Sequence, residues 1–147
     1  MQASTKARYA LRILVDMTAY QGHGNVKIKD ISARQNISVK YIEQIVVTLN
    51  KLGIVKGERG PNGGYTVNGD PSKITAGDVL RLIDGPSCPA PCNPANGPIC
   101  PMINTCPTEE IWRRIGEAAD AILDEYTLSD LAKKQTSVIT VDDGYYI

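Results

Sequence analysis

Residues 37–67 read ISVKYIEQIVVTLNKLGIVKGERGPNGGYTV, and this stretch decides the fold. Ser38 comes first. Its hydroxyl can accept from the free amides of an opening helical turn. Ile42, Ile45, Val46 and Leu49 then recur at helical spacing along one stripe. Gly53 is placed to end that helix, since glycine takes up a left-handed conformation without steric cost. Beyond it two short runs, IVKGE and YTV, flank RGPNGG. Pro-Asn-Gly-Gly supplies the positive φ that a hairpin turn needs. The stretch therefore predicts a helix followed at once by a two-stranded hairpin with Arg59 at its tip.

Working upstream, TKARYALRILVDMTAY carries Leu11, Leu14, Val15 and Ala19 at helical spacing and predicts a helix from Thr5 or Lys6. QGHGN breaks it with two glycines in five residues. VKIKDISARQN predicts a short helix bearing Ile31 and Ala33, and Asn36 and Ile37 form the turn into the helix of the opening stretch. Two helices joined by such a turn are the helix-turn-helix pattern, and the hairpin adds a wing. Downstream, PSKITAGDVLRLIDG predicts a fourth helix capped near Thr75. TEEIWRRIGEAADAILDEY predicts a long helix with Thr108 as N-cap and Glu109 and Glu110 at the positive end of its dipole. Its stripe of Ile111, Ile115, Ala118, Ile122 and Tyr126 can fold back on the core or meet its copy in a second chain, and the small Ala118, which permits close helix approach, favours the copy. TLSDLAKK predicts a short last helix, and the remaining QTSVITVDDGYYI receives no assignment, disorder and an added strand both staying open.

The expected fold is mainly α: a winged helix-turn-helix domain with a two-stranded wing, plus a long C-terminal dimerisation helix. The expected organisation is a DNA-binding domain over 1–84, a cysteine-rich loop over 85–107, the dimerisation and short helices over 108–134, and a tail over 135–147.

Charge points the same way. The 147 residues sum to zero, yet residues 1–70 carry ten Lys/Arg against five Asp/Glu, and residues 71–147 carry six against eleven. A basic N-terminal half favours an anionic partner. Apolar residues make up 42% of the chain, enough for a core, and with no Phe that core is aliphatic. No apolar run approaches the ~18–20 residues a bilayer span needs, and the N-terminus lacks a signal-peptide pattern. The expected location is cytoplasmic, with no membrane partner and no small-molecule substrate. An enzyme is not expected: there is no nucleophile–histidine–acid set, no phosphate loop and no Cys-x-x-Cys pair.

All four cysteines, Cys88, Cys92, Cys100 and Cys106, fall in GPSCPAPCNPANGPICPMINTCPTEE. Disulfides fit the count but not a reducing cytosol. Zinc sites usually use two close Cys pairs, whereas the gaps here are three, seven and five residues. Iron–sulfur clusters tolerate looser spacing. Spacing alone does not separate zinc from a cluster.

ISVKYIEQI followed by RGPNGGY, within a match that runs from residue 2 to about 134, resembles the Rrf-type winged-helix transcriptional regulators, IscR/NsrR-like branch. The resemblance implies a homodimer that joins through the 108–126 helix and binds a palindromic double-stranded DNA operator. It implies that Ser38, Lys40, Tyr41, Glu43 and Gln44 face the DNA, with Arg59, Gly60 and Pro61 at the wing. Those residue types suit contact with a duplex. Gln pairs with adenine edges, Glu accepts from the cytosine amino group, Lys and Tyr reach phosphates, and a wing arginine enters the minor groove.

The branch also implies a cluster held by three cysteines between the fourth helix and the dimer helix, 2Fe–2S ahead of 4Fe–4S. Cys100 and Cys106 keep its five-residue gap, while the gap from Cys92 to Cys100 is longer. Cys92, Cys100 and Cys106 are the ligands the resemblance implies, the longer gap leaving Cys88 open as the first in place of Cys92. The branch's histidine three residues after the last cysteine is Glu109 here, and the position of its partner-chain aspartate is Arg8. His23, the one histidine, lies in the loop after the first helix. Cys88 is therefore the expected fourth ligand, with Glu109 as the alternative. The competing expectation is a winged-helix repressor without a cluster, switched by thiol oxidation or zinc.

Overall fold

A computed structural model of the chain describes residues 2–90, 92 and 98–142, with side chains described up to residue 136. Its helices are α1 (Thr5–Tyr20), α2 (Ile28–Gln35), α3 (Val39–Lys51), α4 (Ala76–Asp84), α5 (Glu109–Asp124) and α6 (Leu128–Asp142), and its strands are β1 (Val55–Glu58) and β2 (Gly64–Val67). No helix among the described residues is long and apolar enough to cross a membrane.

The helix-turn-helix is held by local chemistry. Asn36 ends α2 in the left-handed region, φ 53°, a conformation asparagine tolerates better than most residues. The Ser32 hydroxyl donates to the Ile37 carbonyl at 2.6 Å across the turn. Ser38 then caps α3 by accepting from the Tyr41 amide. At the far end Leu52 is the cap residue and Gly53 follows with φ 76°. The Ile54 amide returns to the Leu49 carbonyl, closing a Schellman-type end. β1 and β2 pair antiparallel from Val55 opposite Val67 to Glu58 opposite Gly64. Asn25 steadies the wing by donating to the Glu58 carboxylate and the Asn62 carbonyl.

One aliphatic core joins these parts. Ile13, Leu14 and Met17 of α1, Ile31 of α2, Ile42, Ile45 and Leu49 of α3, Val79 of α4 and Leu128 of α6 are essentially inaccessible. Asp16 lies fully buried among them. The Arg34 guanidinium grips it at 2.6 and 3.0 Å, and the side-chain amides of Gln35 and Gln135 donate to the same carboxylate. A buried carboxylate is tolerated only with such partners. The pairing holds Arg34 even more firmly protonated than usual, and its guanidinium stacks 3.8 Å from the Tyr20 ring centre.

Two sequence expectations change here. The last helix is not short: α6 runs from Leu128 to Asp142 and takes up residues 135–142 of the unassigned tail. It grows because Leu128 and Ala132 pack into the α1 core and Gln135 reaches Asp16. Residues 143–147 lie outside the described residues. Thr108 does stand at the N-cap of α5, but its side chain caps no amide. Its backbone is helical there rather than extended, and the hydroxyl meets the Cys106 sulfur at 3.3 Å instead.

Candidate DNA-reading face and cysteine cleft

α3 buries Ile42, Ile45, Val46 and Leu49. The opposite face therefore presents Ser38, Lys40, Glu43, Gln44 and Val47 to solvent. Tyr41 differs from the other four expected DNA-facing residues. It is half-buried, and its ring meets Tyr9 edge-on with centroids 5.7 Å apart. At the wing, the Gly63 amide bonds the Gly60 carbonyl, and Gly60 takes φ 108°. Arg59, Gly60 and Pro61 stand exposed at that turn. Tyr65 lies across Gly57, where a β-carbon would come within 2.8 Å of the ring and push it aside.

The cysteines gather at the other end of the chain's path, against α5. A cleft of ≈ 360 Å³ is lined by Ser87, Cys88, Cys92, Glu109 and Gly116, among others. Both candidates for the fourth ligand thus border one cavity. Cys88 is seated directly on α5. A β-carbon on Gly116 would stand 3.1 Å from the Cys88 Cα. The Cys88 thiol donates to the Trp112 carbonyl at 3.3 Å and to the Ala90 carbonyl at 3.2 Å. Cys92 points at that same Ala90 oxygen, 3.5 Å away. The Cys100 amide bonds the Cys92 carbonyl at 2.8 Å and so closes the loop.

The thiols differ in acidity. Burial pushes the Cys92 thiol up, and the nearby Cys100, Cys106, Cys88 and Glu109 add to that. The Thr108 hydroxyl and amide draw the Cys106 thiol down. Glu109 stands 3.9 Å from Arg113. Among the described residues no three His, Cys, Asp or Glu side chains converge on a point where one metal ion would sit.

A polar clamp ties this cleft to the winged domain. Arg81 of α4 bonds Asp120 and Asp124 of α5, each at 2.7 Å. The buried Ser87 hydroxyl donates to Asp120 at 2.6 Å, and Thr75 donates to Asp124. Arg81, Asp120, Ser87 and Gly116 escaped the sequence reading. The one available signal was a glycine inside an amphipathic helix, which costs helix stability unless something must approach closely. α5 buries only Gly116, and Ile111, Ile115, Ile122 and Tyr126 lie open.

Residues 3–134 match the profile of the Rrf2 family, described as iron-dependent transcriptional regulators. The chain belongs to the Rrf2 family. It is 38% identical over 132 residues to the HTH-type transcriptional regulator CymR of Bacillus subtilis, covering 90% of each chain. It is 34% identical over 142 residues to the HTH-type transcriptional regulator IscR of Serratia proteamaculans, covering 97% of this chain and 85% of that one. Among solved structures, that of CymR, the global cysteine regulator of B. subtilis, superposes with a TM-score of 0.75 at 36% identity, over 91% of this chain and 98% of that one. T. potens IscR superposes at 0.73 with 30% identity, over 91% and 88%. These names are those of regulators, not enzymes, in line with the sequence. The winged-helix fold class expected from residues 37–67 is the fold these relatives share.

Proposed function

We propose that this Rrf2-family regulator is a homodimer that binds a palindromic operator and adjusts its grip through a metal cofactor held by the cysteine loop. The observation that carries the reading is the cleft itself. Four soft donors lie within nineteen residues of sequence, on a loop seated against a helix whose apolar stripe lies open and which is clamped to the DNA-reading domain. DNA contact falls to Ser38, Lys40, Glu43 and Gln44 on the open face of α3, to Tyr41 at its margin, and to Arg59, Gly60 and Pro61 of the wing. The dimer forms through Ile111, Ile115 and Ile122 of α5, whose exposure in one chain is otherwise unexplained, and Tyr126 stands just past the end of that helix.

The donor set fits an iron–sulfur cluster better than a lone zinc ion. Zinc draws four sulfurs to about 2.3 Å from one centre. Cys88 and Cys92 line the cleft and the other two thiols lie beyond its wall, a spread that suits a wider inorganic core with thiolate ligands. Cys92, Cys100 and Cys106 would hold it, with Cys88 as the fourth ligand ahead of Glu109. Such a group supplies sensitivity to oxidants and to iron supply. To ligate, Cys88 must surrender its bonds to the Trp112 and Ala90 carbonyls, which links occupancy of the loop to the seat on α5.

A second reading has its own observation: Cys88 and Cys92 share the Ala90 oxygen. Two thiols so placed can close as a disulfide, giving two electrons and two protons to a peroxide that leaves as two waters. Anaerobic purification with a visible spectrum and iron, sulfide and zinc assays separates the two. Colour with matched iron and sulfide supports the cluster, and its loss in Cys88→Ala but not Glu109→Ala supports Cys88 as ligand. A protein that stays colourless after reconstitution and gains a peroxide-induced Cys88–Cys92 bridge defeats the cluster reading.

A further inference from the structure

Beyond Val39 at its first turn, α3 exposes one further large apolar residue that neither core packing nor hydrogen bonding accounts for. Val47 is 52% exposed. It stands one turn beyond Glu43 and Gln44 and two turns beyond Lys40, and these four side chains border a shallow hollow of ≈ 430 Å³. Valine is a poorer helix former than Lys, Glu or Gln, and its exposure forfeits burial energy. Its β-branched side chain is held to essentially one rotamer on a helix, so it presents a fixed apolar knob beside flexible polar neighbours. Val47 also lies apart from the apolar stripe of α5, so self-association through that helix leaves it uncovered.

Building on the reading of α3 as the DNA-reading helix, we propose that Val47 is a specificity residue that packs on the 5-methyl group of a thymine in each operator half-site. The major groove offers one apolar feature, that methyl, and small apolar side chains are the groups that read it. Glu43 precedes Val47 by one helical turn, a rise of about 5.4 Å. Base pairs are stacked about 3.4 Å apart. The thymine therefore falls one or two base pairs from a cytosine whose amino group Glu43 accepts.

The test begins with selection of binding sites from random duplex DNA by the purified full-length protein. The selected site is then remade with deoxyuridine in place of one thymidine at a time, which removes only the methyl. Wild type is expected to lose about fourfold in affinity per half-site at one position. Val47→Ala should bind the thymine site more weakly and lose nothing further on deoxyuridine replacement. Val47→Ala that keeps the wild-type affinity and the same deoxyuridine sensitivity overturns the assignment while leaving DNA binding intact. Failure of the wild type to enrich any sequence overturns the DNA-binding reading on which it rests.

Discussion

The two ends of this molecule are held in different ways. The helix-turn-helix and wing are fixed by residues that act on their immediate neighbours: Asn36, Ser32, Ser38 and Gly53, all over a dense aliphatic core. The cysteine loop and α5 are fixed by five polar side chains and one bare glycine. α5 contributes no large apolar side chain to the core of its own chain. Segments with little apolar burial open at low free-energy cost. The proposed DNA-reading part is thus rigid in itself, and the part that carries the thiols opens more readily.

The largest test of that contrast is Asp16→Ala. It leaves Arg34, three-quarters covered, without its carboxylate and frees Gln35 and Gln135. About 3 kcal/mol of stability should go, seen as a melting temperature lower by roughly 10 °C. The double variant Asp16→Ala with Arg34→Leu should recover part of the loss; no recovery would mean that the ion pair is not the cause. Next comes Ser38→Ala, which removes an N-cap and should cost about 1 kcal/mol by denaturant titration. Arg81→Ala should change global stability less, because its partners are well solvated. It should instead raise amide exchange across α5 while α1 to α3 stay protected. Uniform exchange across the chain would erase the proposed contrast.

Acid offers a graded version of the same test. Arg81, then the Thr75 hydroxyl, holds the Asp124 carboxyl below the usual range. A folded-state value below the unfolded one gives stability that is complete above the ordinary carboxylate pKa of about 4 and is lost as pH falls through the depressed value. Trp112 is the sole tryptophan and lies on α5 beside Cys88. Its emission should shift on acidification before far-ultraviolet helicity falls; simultaneous change would show that the clamp does not open first. The smallest expected effect is Thr108→Val. It should raise the Cys106 thiol and slow its alkylation at neutral pH with no change in melting.

The same division explains what is legible in the sequence. α3, its cap and the wing turn follow from neighbours within a few residues, so ISVKYIEQI and RGPNGGY suffice. The cysteine cleft depends on Gly116 meeting Cys88, twenty-eight residues apart in the chain, and on Ser87 reaching Asp120. No local pattern announces such pairs. The length of α6 is hidden for a related reason. Its C-terminal part, TSVITV, is rich in β-branched residues that suit strands, but docking on α1 through Leu128, Ala132 and Gln135 overrides that preference. Thr108 departs from its expected capping role at a single dihedral, where a helical backbone hands its hydroxyl to a sulfur.

α4 and α6 begin side by side. The Ala76 amide bonds the Tyr126 carbonyl, the Leu128 amide bonds the Ile74 carbonyl, and Thr75 bridges Thr127. Each helix starts with a threonine whose partner three residues on is an aspartate, Asp78 for α4 and Asp130 for α6. Helix starts carry roughly half a positive charge each, so the bridge brings two like poles together. The two carboxylates sit where they cancel that repulsion. Two backbone hydrogen bonds clasp the junction while the two carboxylates quiet its like poles, and neutralising either aspartate leaves the clasp working against an uncompensated charge.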